Sequence, residues 1–146
     1  MSRYRLLFSM LVFLPIANAA VDADGFVRIS PDELVYTGGG ENAPTIAIIA
    51  GDPEKEGFYL LRAKFAPGVM SAPHYHSTDR HVTVISGTWY TGTGRDFDRE
   101  NTVPLGPGSY MMHPAGEVHF DGAKDVEAIV EIKGIGPAPT VPYTQR

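Results

Sequence analysis

Two glycine-led segments constrain this chain more than any other feature: Gly68-Val69-Met70-Ser71-Ala72-Pro73-His74-Tyr75-His76 and Gly108-Ser109-Tyr110-Met111-Met112-His113-Pro114-Ala115-Gly116-Glu117-Val118-His119. They place three histidines in strand-like surroundings in a chain without cysteine. Side chains at i and i+2 of a strand share one face about 6.6 Å apart, so His74 and His76 can converge on one ion. An imidazole nitrogen must come within about 2.0–2.1 Å of a divalent metal, so the third ligand has to arrive from another strand. His119 is the candidate. It follows Pro114-Ala115-Gly116, a turn signature that reverses the chain after the apolar run Tyr110-Met111-Met112 and starts a new strand. A single histidine is more often a core or surface residue; this set predicts a mononuclear metal site inside a small β-barrel.

The rest of the chain reads as all-β. Extended runs fall at 45–50, 58–65, 81–86, 88–92, 110–113 and 126–132, separated by breaks containing glycine and proline. No stretch of ten residues carries a helical period, and there are no internal repeats or low-complexity tracts. In the last run Val126, Ala128, Val130 and Ile132 alternate with Glu127, Glu131 and Lys133, so one face is buried and the other wet. Ile129 breaks that pattern, as a residue facing a second sheet or a partner subunit would. Many short strands in one compact domain predict a single jelly-roll β-barrel, over residues 44–133. An extension at 20–43 precedes it and a tail at 134–146 follows.

The two segments also resemble the motifs of the cupin superfamily, G-x5-H-x-H-x(3,4)-E-x6-G followed by G-x5-P-x-G-x2-H-x3-N. Gly68, His74, His76 and Gly87 fit the first; Gly108, Pro114, Gly116 and His119 fit the second. The resemblance covers about residues 44 to 133 and implies the double-stranded β-helix form of the jelly roll. It also implies a divalent metal (iron, zinc, manganese, nickel or copper) on His74, His76 and His119. Cupins with a three-histidine iron site include dioxygenases for thiols and β-diketones. The implied activity is therefore a metal-dependent oxidoreductase acting on a small molecule. Imidazole suits several of these metals, and affinity alone does not choose among them. The alternative is a non-enzymatic barrel that holds a metal or small ligand.

The chain departs from the pattern twice. Arg80 stands where cupins carry a carboxylate ligand, and Ala123 stands where the second motif ends in Asn. Strand parity places Arg80 independently: Val82 and Val84 form the apolar row, so position 80 belongs to the inward face and His81 and Thr83 to the outward one. A guanidinium cannot ligate a metal, and burying its charge is costly unless an anion pairs with it. Three partners are open to Arg80: a substrate carboxylate beside the metal, a protein carboxylate such as Asp79, Glu117 or Asp121, or solvent reached by snorkelling. Tyr75, between two inward histidines, points outward by the same parity. Tyr110 and Met112 are candidate pocket-lining or core residues.

The first nineteen residues read as an export signal. Arg3 and Arg5 precede an eleven-residue apolar stretch from Leu6 to Ile16, and Ala17-Asn18-Ala19 forms a small-x-small cleavage site. That stretch is well short of the roughly 20 residues needed to span a bilayer. A periplasmic or secreted protein without a membrane anchor is the expectation. Absence of cysteine excludes disulfides, thiolate ligands and a cysteine nucleophile. The formal charge of −5 becomes −7 once Arg3 and Arg5 are removed. An acidic surface without a basic stripe argues against nucleic acid as a partner and leaves a small molecule, or a second copy in a homodimer.

Weaker signals carry little. Gly38-Gly39-Gly40 lacks the Lys-Ser/Thr of a phosphate loop, and Asp96-Phe97-Asp98-Arg99-Glu100 lacks the glycine and terminal glutamate of a calcium loop. Ser71, Ser77 and Ser86 lie outside any nucleophile-elbow context.

Overall fold

A computed structural model describes residues 21–144; the segment 1–19, read from the sequence as an export signal, lies outside the described residues. The eleven strands are β1 (Thr37–Gly40), β2 (Ala43–Ala50), β3 (Gly57–Phe65), β4 (His74–His76), β5 (Arg80–Ser86), β6 (Trp89–Thr93), β7 (Val103–Leu105), β8 (Tyr110–His113), β9 (His119–Gly122), β10 (Ala128–Gly136) and β11 (Thr140–Pro142). A single 3-10 turn, Pro31–Glu33, is the only helical element among the described residues. No described helix is long and apolar enough to cross a membrane.

The strands form two antiparallel sheets, a six-stranded one in the order β1-β2-β3-β10-β5-β8 and a five-stranded one in the order β11-β4-β9-β6-β7. This is the expected jelly roll, built as two facing sheets. Alternation explains the packing. Along β3 Tyr59, Leu61, Ala63 and Phe65 point inward; along β5 Val82 and Val84 do so; along β10 Ala128, Val130 and Ile132. These residues join Trp89 and Ala123 in one core. The outer face of the same strands is wet, with Arg62 paired to Glu131 at 3.2 Å on adjacent strands.

The strands run past both limits read from the sequence. β1 precedes residue 44, β10 continues to Gly136, and β11 lies in the segment read as a tail. Glycine and proline obscure apolar alternation in all three, and β11 is held by its pairing with β4 rather than by its own pattern. β7 was likewise not apparent. Val126 is a correction in the other direction: it is 54% exposed because β10 begins only at Ala128. Ile129 is half-buried, next to a register shift in the pairing of β10 with β5. Tyr110 and Met112 line neither core nor pocket. They are exposed on β8, while the alternate residues Met111 and His113 face in.

Candidate metal centre

His74, His76 and His119 come from the five-stranded sheet. β4 carries the first two on its buried face, and His119 opens β9 directly opposite His74 in the antiparallel pairing. The turn that delivers β9 depends on Gly116, whose φ of 79° is open to glycine and strained for other residues. Its N–H donates to the His76 carbonyl at 2.8 Å, and the Ala115 N–H donates to the Asp79 carboxylate at 2.8 Å. The two motifs are thereby tied to each other through the backbone.

The orientation of the three rings is set from behind. Each Nδ1 faces a main-chain carbonyl: His74 that of Ala72 at 2.8 Å, His76 that of Pro139 at 3.2 Å, His119 that of Glu117 at 3.0 Å. A carbonyl only accepts, so each Nδ1 carries the proton, and in the neutral ring Nε2 is the unprotonated nitrogen. The ring centroids lie 4.5–5.3 Å apart, and one ligand nitrogen from each residue lies within 4.8 Å of the others. The Nε2 of His119 is buried with no hydrogen-bond partner in the protein. A buried acceptor left unpaired is costly, and a divalent ion shared by three such nitrogens would satisfy it. The buried histidine triad could therefore hold a metal ion.

Burial also favours the neutral form of His76 and His119. It pushes the His76 ring down to about 2, with the Arg80 charge and the neighbouring imidazoles adding to the effect. His119 is lowered by burial against the opposing pull of Asp121. The His119 Nε2 lies 4.0 Å from the Asp121 carboxylate.

Arg80 faces the same space. Its Nη1 donates to the Nε2 of His76 at 3.1 Å, its Nε to the Tyr59 hydroxyl at 3.1 Å, and its Nη2 reaches the Ala138 carbonyl at 3.5 Å. Tyr59, Gly134 and Arg80 are register partners across β3, β10 and β5. The middle position must be glycine, since a Cβ there would lie 2.8 Å from the Tyr59 hydroxyl oxygen and 2.9 Å from the Asp79 carbonyl. None of the suggested protein carboxylates pairs with Arg80: Asp79 accepts from Ala115, Glu117 is exposed, and Asp121 lies against His119. Among the described residues no carboxylate lies within ion-pair distance of this guanidinium.

The histidines and Arg80 line a cavity of about 490 Å³ that continues over Leu61, Ala63, Phe65 and Ile132. Ala138, Pro139, Thr140 and Pro142 wall it on one side, so the segment read as a tail is part of the site. Asp121 shares the wall. Ala123, in the place of the motif's Asn, is a fully buried core residue.

Sequence reading missed two contributors. His113 is buried, its ring centroid 3.7 Å from that of His119, and burial followed by the adjacent imidazoles pushes it down to about 2. Its Nε2 also lacks a partner, and with His119 and Asp121 it forms a second group of close ligand atoms. No clear signal was available in the sequence, because Tyr110, Met111 and Met112 are all apolar and parity alone does not say which row of β8 turns inward. The other contributor, the row formed by Tyr59 and Gly134, leaves no sequence signal because it depends on pairing across three strands. His81, as parity predicts, is exposed and bonded to the Tyr110 hydroxyl at 2.8 Å.

Residues 33–140 match the family model described as Domain of unknown function (DUF4437). The chain belongs to this family. Among solved structures it is similar to the polyketide cyclase RemF from Streptomyces resistomycificus, at 17% identity and a TM-score of 0.67 over 83% of this chain and 87% of that one. An uncharacterized conserved protein with a double-stranded beta-helix domain from Klebsiella pneumoniae is 22% identical, with a TM-score of 0.61 over 81% and 97% of the two chains. A protein of unknown function with a cupin-like fold from Ralstonia eutropha is 26% identical, with a TM-score of 0.55 over 70% and 60%. These likenesses bear out the cupin resemblance and its fold. No curated protein matches the sequence.

Proposed function

We propose that this DUF4437 chain is an exported cupin that holds a divalent metal on the Nε2 atoms of His74, His76 and His119. It works as a metal-dependent oxidoreductase on a small anionic molecule bound in the adjoining cavity. The observation that carries the metal site is the set of three Nδ1–carbonyl contacts, which leaves Nε2 of each ring as the candidate ligand atom in a cluster whose ligand atoms lie within 4.8 Å of one another. A bound divalent ion would supply Lewis acidity there and, if redox-active, a route for electrons between substrate and dioxygen. Three ligands leave coordination positions free for a substrate.

The chain's own residues do the remaining work. The apolar walls around Leu61, Phe65 and Ile132 exclude water from the body of the ligand. Arg80 supplies the positive charge that recognises an acid group, since no protein carboxylate takes that place among the described residues. Asp121, buried beside His119, is positioned to accept a proton or hydrogen bond from the ligand. A ligand-sized cavity with Arg80 turned into it favours an enzyme over a barrel that merely stores an ion. Export rests on the arginine-led apolar stretch and the Ala17-Asn18-Ala19 cleavage site.

The test is metal analysis of the mature protein recovered from the exported fraction, with oxygen uptake measured on small carboxylic acids. One equivalent of metal is expected, lost in His76→Ala and kept in His81→Ala, with a mature N-terminus at Ala20. Equal metal loss in both variants rejects the ligand set. Full metal loading with no turnover of any acid leaves the binding-protein alternative.

A further inference from the structure

The guanidinium of Arg80 is hydrogen-bonded to the ligand atom itself. Nη1 donates to the Nε2 of His76 at 3.1 Å, while the other ring nitrogen of His76 is committed to the Pro139 carbonyl. Nε2 of a neutral imidazole has one in-plane lone pair, so it cannot accept from Arg80 and bind an ion at once. Arg80 is anchored only by neutral acceptors: the Tyr59 hydroxyl, the Ala138 carbonyl and this nitrogen. These use three of its five N–H donors, and its charge has no carboxylate among the described residues. Metal loading therefore requires Arg80 to release His76, and it brings a second positive charge beside the first. Both costs fall if an anion takes the guanidinium.

We infer that metal and substrate bind this site cooperatively through Arg80, and that the substrate is a small acid with a second oxygen next to its carboxylate, a 2-hydroxy or 2-oxo acid. The carboxylate draws Arg80 away from His76 in a two-point pairing. The neighbouring oxygen then stands next to the ion, because Arg80 and the ion share one imidazole nitrogen as neighbour. A simple monocarboxylate neutralises Arg80 but offers no second donor. The inference rests on the three-histidine reading above and adds a mutual dependence that the ligand set alone does not require.

Coupling of this kind is reciprocal. The experiment titrates cobalt(II) chloride into metal-free protein, followed by visible absorption and calorimetry at fixed pH and salt, with no anion, with acetate or with glycolate. Solution complexation by each anion is subtracted. In the wild type, glycolate is expected to tighten cobalt binding by about 5–150-fold, the usual span of such coupling, and cobalt to tighten glycolate binding by the same factor. Acetate is expected to do clearly less. In Arg80→Met cobalt binds more tightly than in the wild type without anion, and the glycolate effect disappears. Arg80→Gln, which removes the charge but keeps an amide donor, is expected to do the same, and thermal midpoints in chelator show that both variants are folded. Equal effects of acetate and glycolate, cobalt binding no tighter in either variant, or glycolate coupling that survives the loss of Arg80 would each overturn the inference while leaving the histidine site intact. A wild type that takes up no cobalt under any condition overturns the site itself.

Discussion

The inner faces of the two sheets obey the same alternation and are about equally buried, yet they do opposite work. On the six-stranded sheet Tyr59, Leu61, Val82, Val84 and Val130 are nearly all carbon and close the core. On the five-stranded sheet the inward positions of β4 and β9 hold His74, His76, His119 and Asp121, while Trp89 of β6 joins the core. What separates a core face from a site face here is how the polar atoms are satisfied. Each histidine is satisfied on one side by a carbonyl, while the other nitrogen of His76 meets Arg80 and that of His119 has no partner in the protein. Arg80, on the apolar sheet, reaches across to the polar one.

This contrast makes substitutions on the two faces separable. The largest expected effect is on the core side: Phe65 on β3, 2% exposed, changed to Ala should cost about 3–5 kcal/mol of stability, the usual range for a buried aromatic residue. Chemical denaturation measures it.

On the site side, His119→Ala should lower metal affinity by more than the roughly 10–100-fold typical of residues that merely orient ligands, with little change in the stability of metal-free protein. Isothermal titration and melting in chelator separate the two readouts. Wild-type protein should also gain about 2.7 kcal/mol of stability at a metal concentration of 100 Kd, and this gain should vanish in the variant. A His119→Ala protein as unstable as Phe65→Ala would erase the distinction between the faces.

Arg80 tests the bridge between them. Arg80→Ala should weaken binding of small carboxylates by about 2–5 kcal/mol, and Arg80→Glu should tighten metal binding by supplying the carboxylate that other cupins carry there. Unchanged metal affinity in Arg80→Glu would mean that the inward placement does not reach the ion.

The smallest effects should come from the remaining histidines. His113→Ala removes the ring that packs on His119 and should loosen metal binding by about 10-fold, the lower end of effects on ligand-orienting residues. His81→Ala loses an exposed contact to Tyr110 and should change stability by no more than about 0.5 kcal/mol and metal content not at all.

Much of this architecture was legible in the chain. The i and i+2 spacing of His74 and His76, the Pro114–Gly116 turn before His119, and the parity that turned Arg80 in and His81 out are all local properties. The structure brings these residues together as the pattern requires. Tyr110 and Met112 show where local reading fails: apolar character suggested burial, but the inward row of β8 is Met111 and His113, and an edge strand leaves its outer face in water. The segment after residue 133 failed for a related reason. Thr140–Pro142 has no pattern of its own, and becomes a strand only because β4 offers it an open edge.

By itself the sequence determined the strand-rich class, the two histidine-bearing segments and the side of the strand on which His74, His76, Arg80 and His81 lie, because alternation and turn chemistry act over a few residues. The tertiary structure decided which groups meet across strands. It set the three carbonyls that fix the imidazoles, the Tyr59–Gly134–Arg80 row, and the return of Ala138 and Pro139 to wall the cavity. Those contacts join residues as far apart as His76 and Pro139, and only the pairing register of two packed sheets specifies them.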